Sequence, residues 1–281
     1  MATETRPQLD ASAKAAVAIH LDGVSVRLGD RLALANVSLS IAEGAFVGLI
    51  GPNGSGKSTL LRTVLSVLPT AAGEVRIGGV EPSQARDRFS YLPQRQHVDL
   101  DLPVRAWDVV MMGRIRHTGW IRPLRRQDKD VVGWALDLVG LSHRSQSSIG
   151  EMSFGQQQRV FFARALAQEG DVLLLDEPMN GVDPQTQELF IELLRRFHRE
   201  GKTIVMATHD LTQAAALCDN LCVLNQHLVA YGPVSEVLNE DVLREAYGIH
   251  LHFAPGEHAH GHLLGDVHHH EAEVPVNDRL V

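Results

Sequence analysis

The feature that most restricts the fold of this chain is an eight-residue stretch that matches the pattern G-x-x-x-x-G-K-[ST] at every fixed position. It consists of Gly51, Pro52, Asn53, Gly54, Ser55, Gly56, Lys57 and Ser58. An apolar run at 46–50 precedes the stretch, and apolar residues at helical spacing follow it until Pro69. A strand that enters and a helix that leaves are the context of a phosphate-binding P-loop. We therefore expect an α/β fold built around one nucleotide site.

The residue types of this loop predict a bound triphosphate. Its glycines let successive backbone N–H groups converge on one point, and the following helix adds the positive end of its dipole. Lys57 would neutralise the β- and γ-phosphates, and the Ser58 hydroxyl would be a ligand of Mg²⁺, a cation that prefers oxygen. Thr59 completes the predicted nucleotide-binding segment.

Length and charge restrict the remaining classes of function. The 281 residues are enough for one large domain or two small ones, and we expect one nucleotide-binding unit. A formal charge of -8 argues against a nucleic-acid partner, which needs clustered Lys and Arg. No apolar run reaches the roughly 20 residues that cross a bilayer, so we expect a cytosolic protein. Cys218 and Cys222 lie among apolar residues and predict buried small hydrophobes.

Alternating apolar residues over 20–41, interrupted by the turn signal Gly29-Asp30, predict a small antiparallel β layer ahead of the P-loop. Further strands are predicted at 46–50, 74–77, 89–92, 172–175 and 203–207. The last two runs are apolar on both faces, which is typical of central parallel strands. Because ligands of open α/β sheets bind at the carboxyl ends of the strands, Asp176, Glu177 and His209 should lie at one sheet edge with Lys57.

The pattern from about 95 to 168 is helical and predicts an all-helical insertion. Its two apolar stripes are Val104, Trp107, Val110 and Met111, and Val131, Trp134, Ala135, Leu138 and Val139. A basic stretch between them contains Arg114, Arg116, Arg122, Arg125, Arg126 and Lys129. Two interpretations of this stretch stay open, a solvated face and a surface that docks near anionic lipid headgroups.

Several short segments occur in the order of the Q-loop, signature, Walker B, D-loop and switch histidine of ATP-binding-cassette (ABC) ATPases. They are Gln94; Ser153, Phe154, Gly155 and Gln156; Leu175, Asp176, Glu177 and Pro178; Gly181, Val182 and Asp183; and His209. From residue 19 to 248 the chain resembles that family. The resemblance implies an ATP-hydrolysing enzyme with a mixed, largely parallel sheet, preceded by a disordered leader at 1–18 and followed by a His-rich, disordered tail at 249–281.

The resemblance also assigns roles that suit the residue types. Asp176 would hold Mg²⁺ directly or through water, and Gln94 would sense Mg²⁺ and the γ-phosphate. Glu177 would orient and deprotonate the attacking water, and His209 would donate to the γ-phosphate or to that water. Together with Lys57, these side chains are the predicted catalytic set.

A homodimer is implied by the signature segment. Ser153, Gln156 and the N–H groups around Gly155 would cap the γ-phosphate of the ATP bound by the other subunit, and Asp183 would contact that subunit. Since the chain has a single cassette, the dimer would hold two ATP molecules between its subunits.

Two residues depart from the family pattern. Leu28 stands where an aromatic residue usually stacks on adenine, so it can pack on the base but supplies no π face. Phe154 stands where the signature usually has glycine and brings a bulky side chain close to the partner's nucleotide. We expect a modest loss of base affinity from the first and an altered turnover rate from the second.

The segment from Asp108 to Arg114, with Gly119 and Trp120 after it, resembles the helical insertion of importers for zinc, manganese or chelated iron. Such importers pair the ATPase with a membrane permease and, outside the cell, a metal-binding protein. The resemblance therefore implies a peripheral position on the cytoplasmic face of the plasma membrane. The direction and the cargo depend on those other chains, with zinc favoured over manganese.

Histidines crowd the final segment, at His250, His252, His258, His260, His262, His268, His269 and His270. Neutral imidazoles at this density bind Zn²⁺ readily and manganese poorly. Two interpretations stay open, a metal-buffering or sensing tail and a disordered tail whose histidines have no role.

Two other functions compete with the metal importer. One is a soluble cassette ATPase that acts on a protein or cluster-assembly partner, which co-purification with membrane subunits would distinguish. The other is a regulator that holds ATP and metal but hydrolyses weakly, an idea that Phe154 and the tail suggest and that Glu177 and His209 oppose.

Overall fold

The computed structural model describes residues 16–94, 104–118 and 125–248. Within these residues the strands are β1 Val17–Leu28, β2 Arg31–Ala42, β3 Phe46–Ile50, β4 Ala72–Ile77, β5 Phe89–Leu92, β6 Val172–Asp176, β7 Thr203–Ala207, β8 Asn220–Asn225 and β9 His227–Pro233. The helices are α1 Lys57–Val64, α2 Ala106–Met111, α3 Ile115–Thr118, α4 Arg126–Leu138, α5 Phe154–Leu166, α6 Pro184–Arg199, α7 Leu211–Leu217, α8 Val234–Val237 and α9 Glu240–Tyr247. The predicted leader up to residue 15, Arg122, Gly119, Trp120 and the His-rich tail lie outside the described residues.

A six-stranded sheet forms the centre of the fold, with the strand order β5-β6-β7-β3-β8-β9. The first five strands in this order run parallel, and β9 pairs antiparallel with β8. Every residue of β3, β6 and β7 is buried, as their unbroken apolar sequences predict. The predicted α/β fold with a mixed, largely parallel sheet is therefore confirmed.

The small antiparallel layer is a separate three-stranded sheet with the order β2-β1-β4. β1 and β2 form a hairpin whose turn contains Gly29, at a φ of 58° that favours glycine. β4 pairs with the other edge of β1, from Ile19 opposite Ile77 to Ser25 opposite Ala72. This layer was also predicted from the alternation of apolar residues.

Alternation along β3 distributes its side chains between two hydrophobic cores. Val47 and Leu49 lie in the core shared with the small sheet and α1, whereas Phe46 and Ile50 lie in the core shared with α5, α6 and the helical segments at 104–118 and 125–138. The loop after β3 therefore leaves the sheet between two packed layers, which hold its position.

The helix after the P-loop is shorter than the apolar pattern predicted. α1 ends at Val64, Leu65 is its C-cap, and Ser66 takes a left-handed φ of 58°. The apolar spacing continued to Leu68, so the prediction that the helix runs to Pro69 was wrong. Backbone conformation at Ser66 ends the helix before proline does.

The buried face of α4 differs from the predicted stripe. Val132, Ala135, Leu136 and Val139 are buried, whereas Trp134 is 42 % exposed. Asp128, in the first turn of α4, is also buried, because it pairs with Arg114. The contact between Asp128 and Arg114 fixes the rotation of α4 about its axis. The spacing of apolar residues within α4 could not predict this rotation, because Arg114 lies outside the helix.

Arg114 is a structural residue and belongs neither to a solvated face nor to a lipid-docking surface. Its side chain is 3 % exposed, and it donates to Asp128 Oδ1 at 3.2 Å, Glu169 Oε2 at 2.5 Å and the Ala167 carbonyl at 2.8 Å. The neighbouring Arg116 donates to the Arg86 carbonyl at 2.6 Å. Arg116, Arg125, Arg126 and Lys129 are exposed, so the two interpretations of the basic stretch stay open for them, while Arg122 lies outside the described residues.

Cys218 and Cys222 are buried free thiols, as predicted. Burial raises the pKa of each thiol to about 12, which keeps both protonated at neutral pH. Within the described part of the chain, no helix is both long and apolar enough to cross a bilayer.

Candidate nucleotide-binding and catalytic site

The P-loop connects β3 to α1, and its path requires glycine at two positions. Gly51 has a φ of 149°, and a Cβ atom there would lie 2.1 Å from the Leu224 carbonyl oxygen. Gly56 has a φ of 104°, and its Cβ atom would lie 2.4 Å from Leu34 Cδ2. The loop is thus pressed against β2 and β8, with its free side available to a ligand. Ser55 is buried within the loop, so its side chain points away from that free side.

Lys57 lies at the first position of α1 with its ammonium group turned onto the loop. Nζ donates to the carbonyls of Gly51 at 2.7 Å and Pro52 at 3.1 Å. Burial lowers the pKa of Lys57, and the nearby charges of Glu177 and Asp176 oppose that shift. The first turn of α1 has no acidic residue, so its dipole and Lys57 both favour an anion at the loop.

Ser58 connects the P-loop to the end of β6. Its hydroxyl donates to Asp176 Oδ1 at 3.0 Å. Asp176 is 1 % exposed, and its Oδ2 atom is buried and accepts no hydrogen bond from the described residues. Burial raises the pKa of Asp176, and the neighbouring Glu177 charge adds to this shift, while the Ser58 hydroxyl opposes it. A desolvated carboxylate beside a hydroxyl fits Mg²⁺, which would neutralise the charge with oxygen ligands.

Glu177 lies at the centre of a polar cluster that includes both remaining predicted catalytic residues. Its side chain is 10 % exposed, and its Oε2 atom accepts a hydrogen bond from Gln94 Nε2 at 2.9 Å. His209 Nδ1 lies 3.7 Å from Oε1. Gln94 donates through nitrogen, so its amide oxygen stays available as a ligand for Mg²⁺. The structure thus brings Gln94, Glu177 and His209 together.

The signature residues form a second cluster, at the start of α5. Ser153 is the N-cap, and its hydroxyl and backbone N–H exchange hydrogen bonds with Gln156 in a capping box. A Cβ atom at Gly155 would lie 2.1 Å from Asp183 Oδ2, so only glycine allows this contact. Phe154 is the first residue of the helix and is 37 % exposed.

Asp183 performs a structural role within its own subunit, in addition to the predicted contact with a partner. Its carboxylate caps α6 by accepting from the Thr186 N–H at 2.9 Å and the Thr186 hydroxyl at 2.8 Å. These bonds lower the pKa of Asp183 below its usual range. The same carboxylate therefore joins the start of α6 to the start of α5.

Leu28 ends β1 and is 45 % exposed. It pairs with Arg31 across the hairpin, and the Arg31 guanidinium lies 3.5 Å from the Gly54 carbonyl. The predicted base-packing residue therefore lies opposite a residue that contacts the P-loop, and its own apolar side chain is exposed.

Three residues of the site were not found from the sequence. Asn180 donates to Glu177 Oε2 at 2.8 Å, and the Ala207 carbonyl accepts from the Glu177 N–H at 2.9 Å. Gln226 donates its N–H to the Ser55 carbonyl at 2.8 Å and so supports the P-loop from beyond β8. The one available signal was for Asn180, since it follows Glu177 by three residues in a turn-like segment.

The predicted tail ligands His258, His260, His262, His268, His269 and His270 lie outside the described residues. Within 16–94, 104–118 and 125–248, no group of three or more His, Cys, Asp or Glu side chains has the arrangement of a metal site. The possible binding of Zn²⁺ by the tail stays a prediction.

Comparison with known proteins decides the family. The model of the family described as ABC transporter matches residues 34–180. The chain belongs to the ABC transporter family. This ABC ATPase hydrolyses ATP, which members of the family bind with Mg²⁺.

Relatives of this ABC ATPase include proteins named for manganese, zinc and chelated-iron transport, and manganese is the most frequent of these names. The chain is 42 % identical to the manganese transport system ATP-binding protein MntA of Synechocystis, over 82 % of this chain and 90 % of the relative. It is 40 % identical to the zinc transport system ATP-binding protein TroB of Treponema pallidum, over 83 % and 88 %. The ATP-binding cassette MJ0796, solved as a post-hydrolysis dimer with ADP and phosphate, superposes with a TM-score of 0.66 at 27 % identity, over 77 % and 98 %.

Proposed function

We propose that this ABC ATPase is the ATP-hydrolysing subunit of an importer for a divalent transition metal. The observation that carries the proposal is the cluster of Lys57, Ser58, Asp176 and Glu177 at one edge of the sheet, in a chain whose relatives are named for manganese and zinc transport. The identities of 42 % and 40 % are too close to separate the two metals. Zinc is our first choice because of the imidazole-rich tail, and manganese is the second.

In the proposed reaction, the residues of this chain hold the triphosphate and move one proton. The P-loop N–H groups and Lys57 bind the phosphates, while Ser58, Asp176 and Gln94 would hold Mg²⁺. Bound Mg²⁺ supplies charge neutralisation at the β- and γ-phosphates. Glu177 takes a proton from the attacking water, whose oxygen bonds to the γ-phosphorus. The bond from that phosphorus to ADP breaks, and ADP leaves with the electron pair, while His209 donates a hydrogen bond to the γ-phosphate.

We infer a homodimer as the working unit, supported by the similarity of the chain to the MJ0796 cassette, which was solved as a dimer. Ser153, Gly155 and Gln156 lie at the N-terminus of α5, where helix N–H groups favour an anion from a second subunit. Asp183 would contact that subunit while it keeps its position against Gly155. ATP would then favour the closed dimer, and hydrolysis would weaken it.

The same proposal places this chain on the cytoplasmic face of the plasma membrane, bound to permease subunits that it drives between two access states. An external metal-binding protein would deliver the cargo without contact with the ATPase. Residues 19–248 would form the nucleotide-binding domain, with the helical insertion at about 95–168 and the leader and tail outside it.

Substitution Glu177→Gln tests the proposed chemistry. The change keeps the size of the side chain but removes the base, so turnover should fall at least about 100-fold. The ATP-bound variant should elute as a dimer in size-exclusion chromatography, and the nucleotide-free variant as a monomer. Glu192→Gln, on an exposed position of α6, is the matched control. A Glu177→Gln protein that cleaves ATP at the parental rate, or stays monomeric with ATP, would contradict the proposal.

A further inference from the structure

Asn180 contacts Glu177 through both its main chain and its side chain. The Asn180 N–H donates to the Glu177 carbonyl at 3.2 Å, which closes a turn over 177–180. Its side-chain Nδ2 donates to Glu177 Oε2 at 2.8 Å. Glu177 itself has a φ of 51°, in the left-handed region that non-glycine residues rarely adopt. The turn therefore holds Glu177 in a strained backbone conformation, and the same turn places the Asn180 amide against the Glu177 carboxylate.

The position of Asn180 is set by the hydrophobic core on either side of it. Met179 and Val182 are buried, at 6 % and 7 % exposure. Gln187 Nε2, on α6, lies 3.5 Å from the Met179 carbonyl and 3.4 Å from the Val182 carbonyl. Because Met179 and Val182 are held in this way, the backbone at Asn180 has a fixed position, and its side-chain amide stays within hydrogen-bond distance of Glu177.

The surroundings of the Glu177 carboxylate are asymmetric. Oε2 accepts from the amides of Gln94 and Asn180, at 2.9 and 2.8 Å. Oε1 faces His209, whose Nδ1 atom is 3.7 Å away. Gln94, Glu177 and Asn180 also border a polar cavity of about 240 Å³, which is large enough for water. Because Oε2 is engaged twice, Oε1 is the oxygen left to accept a proton.

We propose that Asn180 is a positioning residue for hydrolysis, which holds Oε2 so that Oε1 of Glu177 receives the proton from the attacking water. This inference rests on the proposed function, in which Glu177 is the base. Gln94 shares the contact with Oε2, but its amide oxygen is also a proposed ligand of Mg²⁺. Among the described residues, the Asn180 side chain donates to Glu177 alone, so its amide can orient the carboxylate without also holding a metal.

A donor role and a packing role for Asn180 predict opposite orders of activity. Asn180→Asp keeps the shape of the side chain but replaces the N–H donor with a carboxylate that repels Glu177. Asn180→Ala removes both the donor and the bulk. If the hydrogen bond positions Glu177, the kcat values should fall in the order parent, Ala, Asp. If only the shape is required, Asp should instead be close to the parent and Ala the slower variant.

The experiment measures kcat and KM for ATP of the full-length chain with Mg²⁺. We expect kcat to fall about tenfold for Asn180→Ala and about 100-fold for Asn180→Asp, with KM for ATP within about twofold of the parent. Asn180→Ser, which restores a shorter donor, should be faster than Asn180→Ala. Gln84→Glu is the matched control, because it makes the same amide-to-acid change on an exposed turn. Its kcat should be unchanged.

An Asn180→Asp protein that is as fast as or faster than Asn180→Ala would overturn the inference. So would variants that raise KM while kcat stays at the parental value. Glu177→Gln, assayed in parallel, separates this failure from failure of the proposed function. If Glu177→Gln is inactive and the Asn180 order is wrong, only the positioning role fails; if Glu177→Gln retains turnover, both fail.

Discussion

The Ser58 hydroxyl donates to Asp176 Oδ1 at 3.0 Å, across 118 residues of sequence. This hydrogen bond joins the first turn of α1 to the end of β6. The two proposed Mg²⁺ ligands are therefore adjacent. The second carboxylate oxygen of Asp176 is buried and accepts no hydrogen bond from the described residues. Burial without such a partner makes the charged form of Asp176 unfavourable.

Substitution Asp176→Asn should stabilise the nucleotide-free protein and abolish its use of Mg²⁺. A raised pKa means that the folded state prefers the protonated carboxyl, so the charged form costs stability at neutral pH. Removing that charge should raise the free energy of unfolding by about 1 kcal/mol, or Tm by about 2–4 °C. Thermal unfolding with and without Mg²⁺ and ATP measures both effects. A variant with lower Tm and normal Mg²⁺-dependent turnover would contradict the assignment of Asp176 to the cation.

Loss of the buried Arg114 should destabilise the protein severely. Arg114→Leu leaves Asp128 buried without its partner, which should lower the free energy of unfolding by about 3–5 kcal/mol. The double variant Arg114→Leu, Asp128→Leu should recover part of this loss, because the buried carboxylate is then removed with its partner, and the other carboxylate that Arg114 contacts, Glu169, is 43 % exposed. Denaturant unfolding measures both, with the exposed Arg126→Ala as a control that should change stability little. Equal stability of Arg114→Leu and Arg126→Ala would show that the buried pair is not structural.

The capping carboxylate Asp183 should make stability depend on pH at the acidic end. Its pKa is lowered by the Thr186 N–H and hydroxyl, so its stabilising effect is complete above the unfolded value of about 3.9 and is lost as pH falls through the lower folded value. Asp183→Ala should therefore be less stable than the parent at pH 7, with the difference vanishing in strong acid. Thermal midpoints between pH 2 and pH 7 test this. Gln185→Ala, at the same helix end, does not titrate and should show no such trend.

The tail histidines should account for most stoichiometric Zn²⁺ binding. Replacement of His258, His260, His262, His268, His269 and His270 by Asn removes the imidazoles but keeps a polar tail of the same length. Calorimetric titration should show most Zn²⁺ binding lost, while basal ATP hydrolysis is unchanged. Zn²⁺ binding equal to that of the parent would locate the metal site elsewhere in the chain.

The residues of the proposed nucleotide site could be predicted from the sequence because each of them belongs to a short motif or closely follows an apolar strand. The P-loop glycines, Lys57 and Ser58 form one segment, and Asp176 and His209 each follow an apolar strand whose position in the sheet is determined by topology. The fold followed from the same signals. β8 and β9 were missed because β8 has a short apolar core and the residues of β9 are half-buried or exposed, so neither shows a clear period.

The buried face of α4 and the backbone conformation of Glu177 could not be predicted from the sequence, because both depend on contacts between distant segments. Val131 and Val132 are both apolar, so periodicity could not choose the buried face of α4, and the Arg114 to Asp128 pair decided it. The left-handed backbone of Glu177 has no glycine to signal it, and it is held by the carbonyl of Ala207 on β7. The contact of Asn180 with Oε2 depends on that conformation and on the burial of Met179 and Val182 beside it.

The most direct test of the proposed function is ATP hydrolysis by this chain with its permease in lipid vesicles, with the external binding protein supplied empty, with Zn²⁺ or with Mn²⁺. We expect one loaded form to stimulate hydrolysis several-fold over the empty form, which would identify the cargo. Equal rates with all three would contradict the role in metal import while leaving the ATPase itself intact.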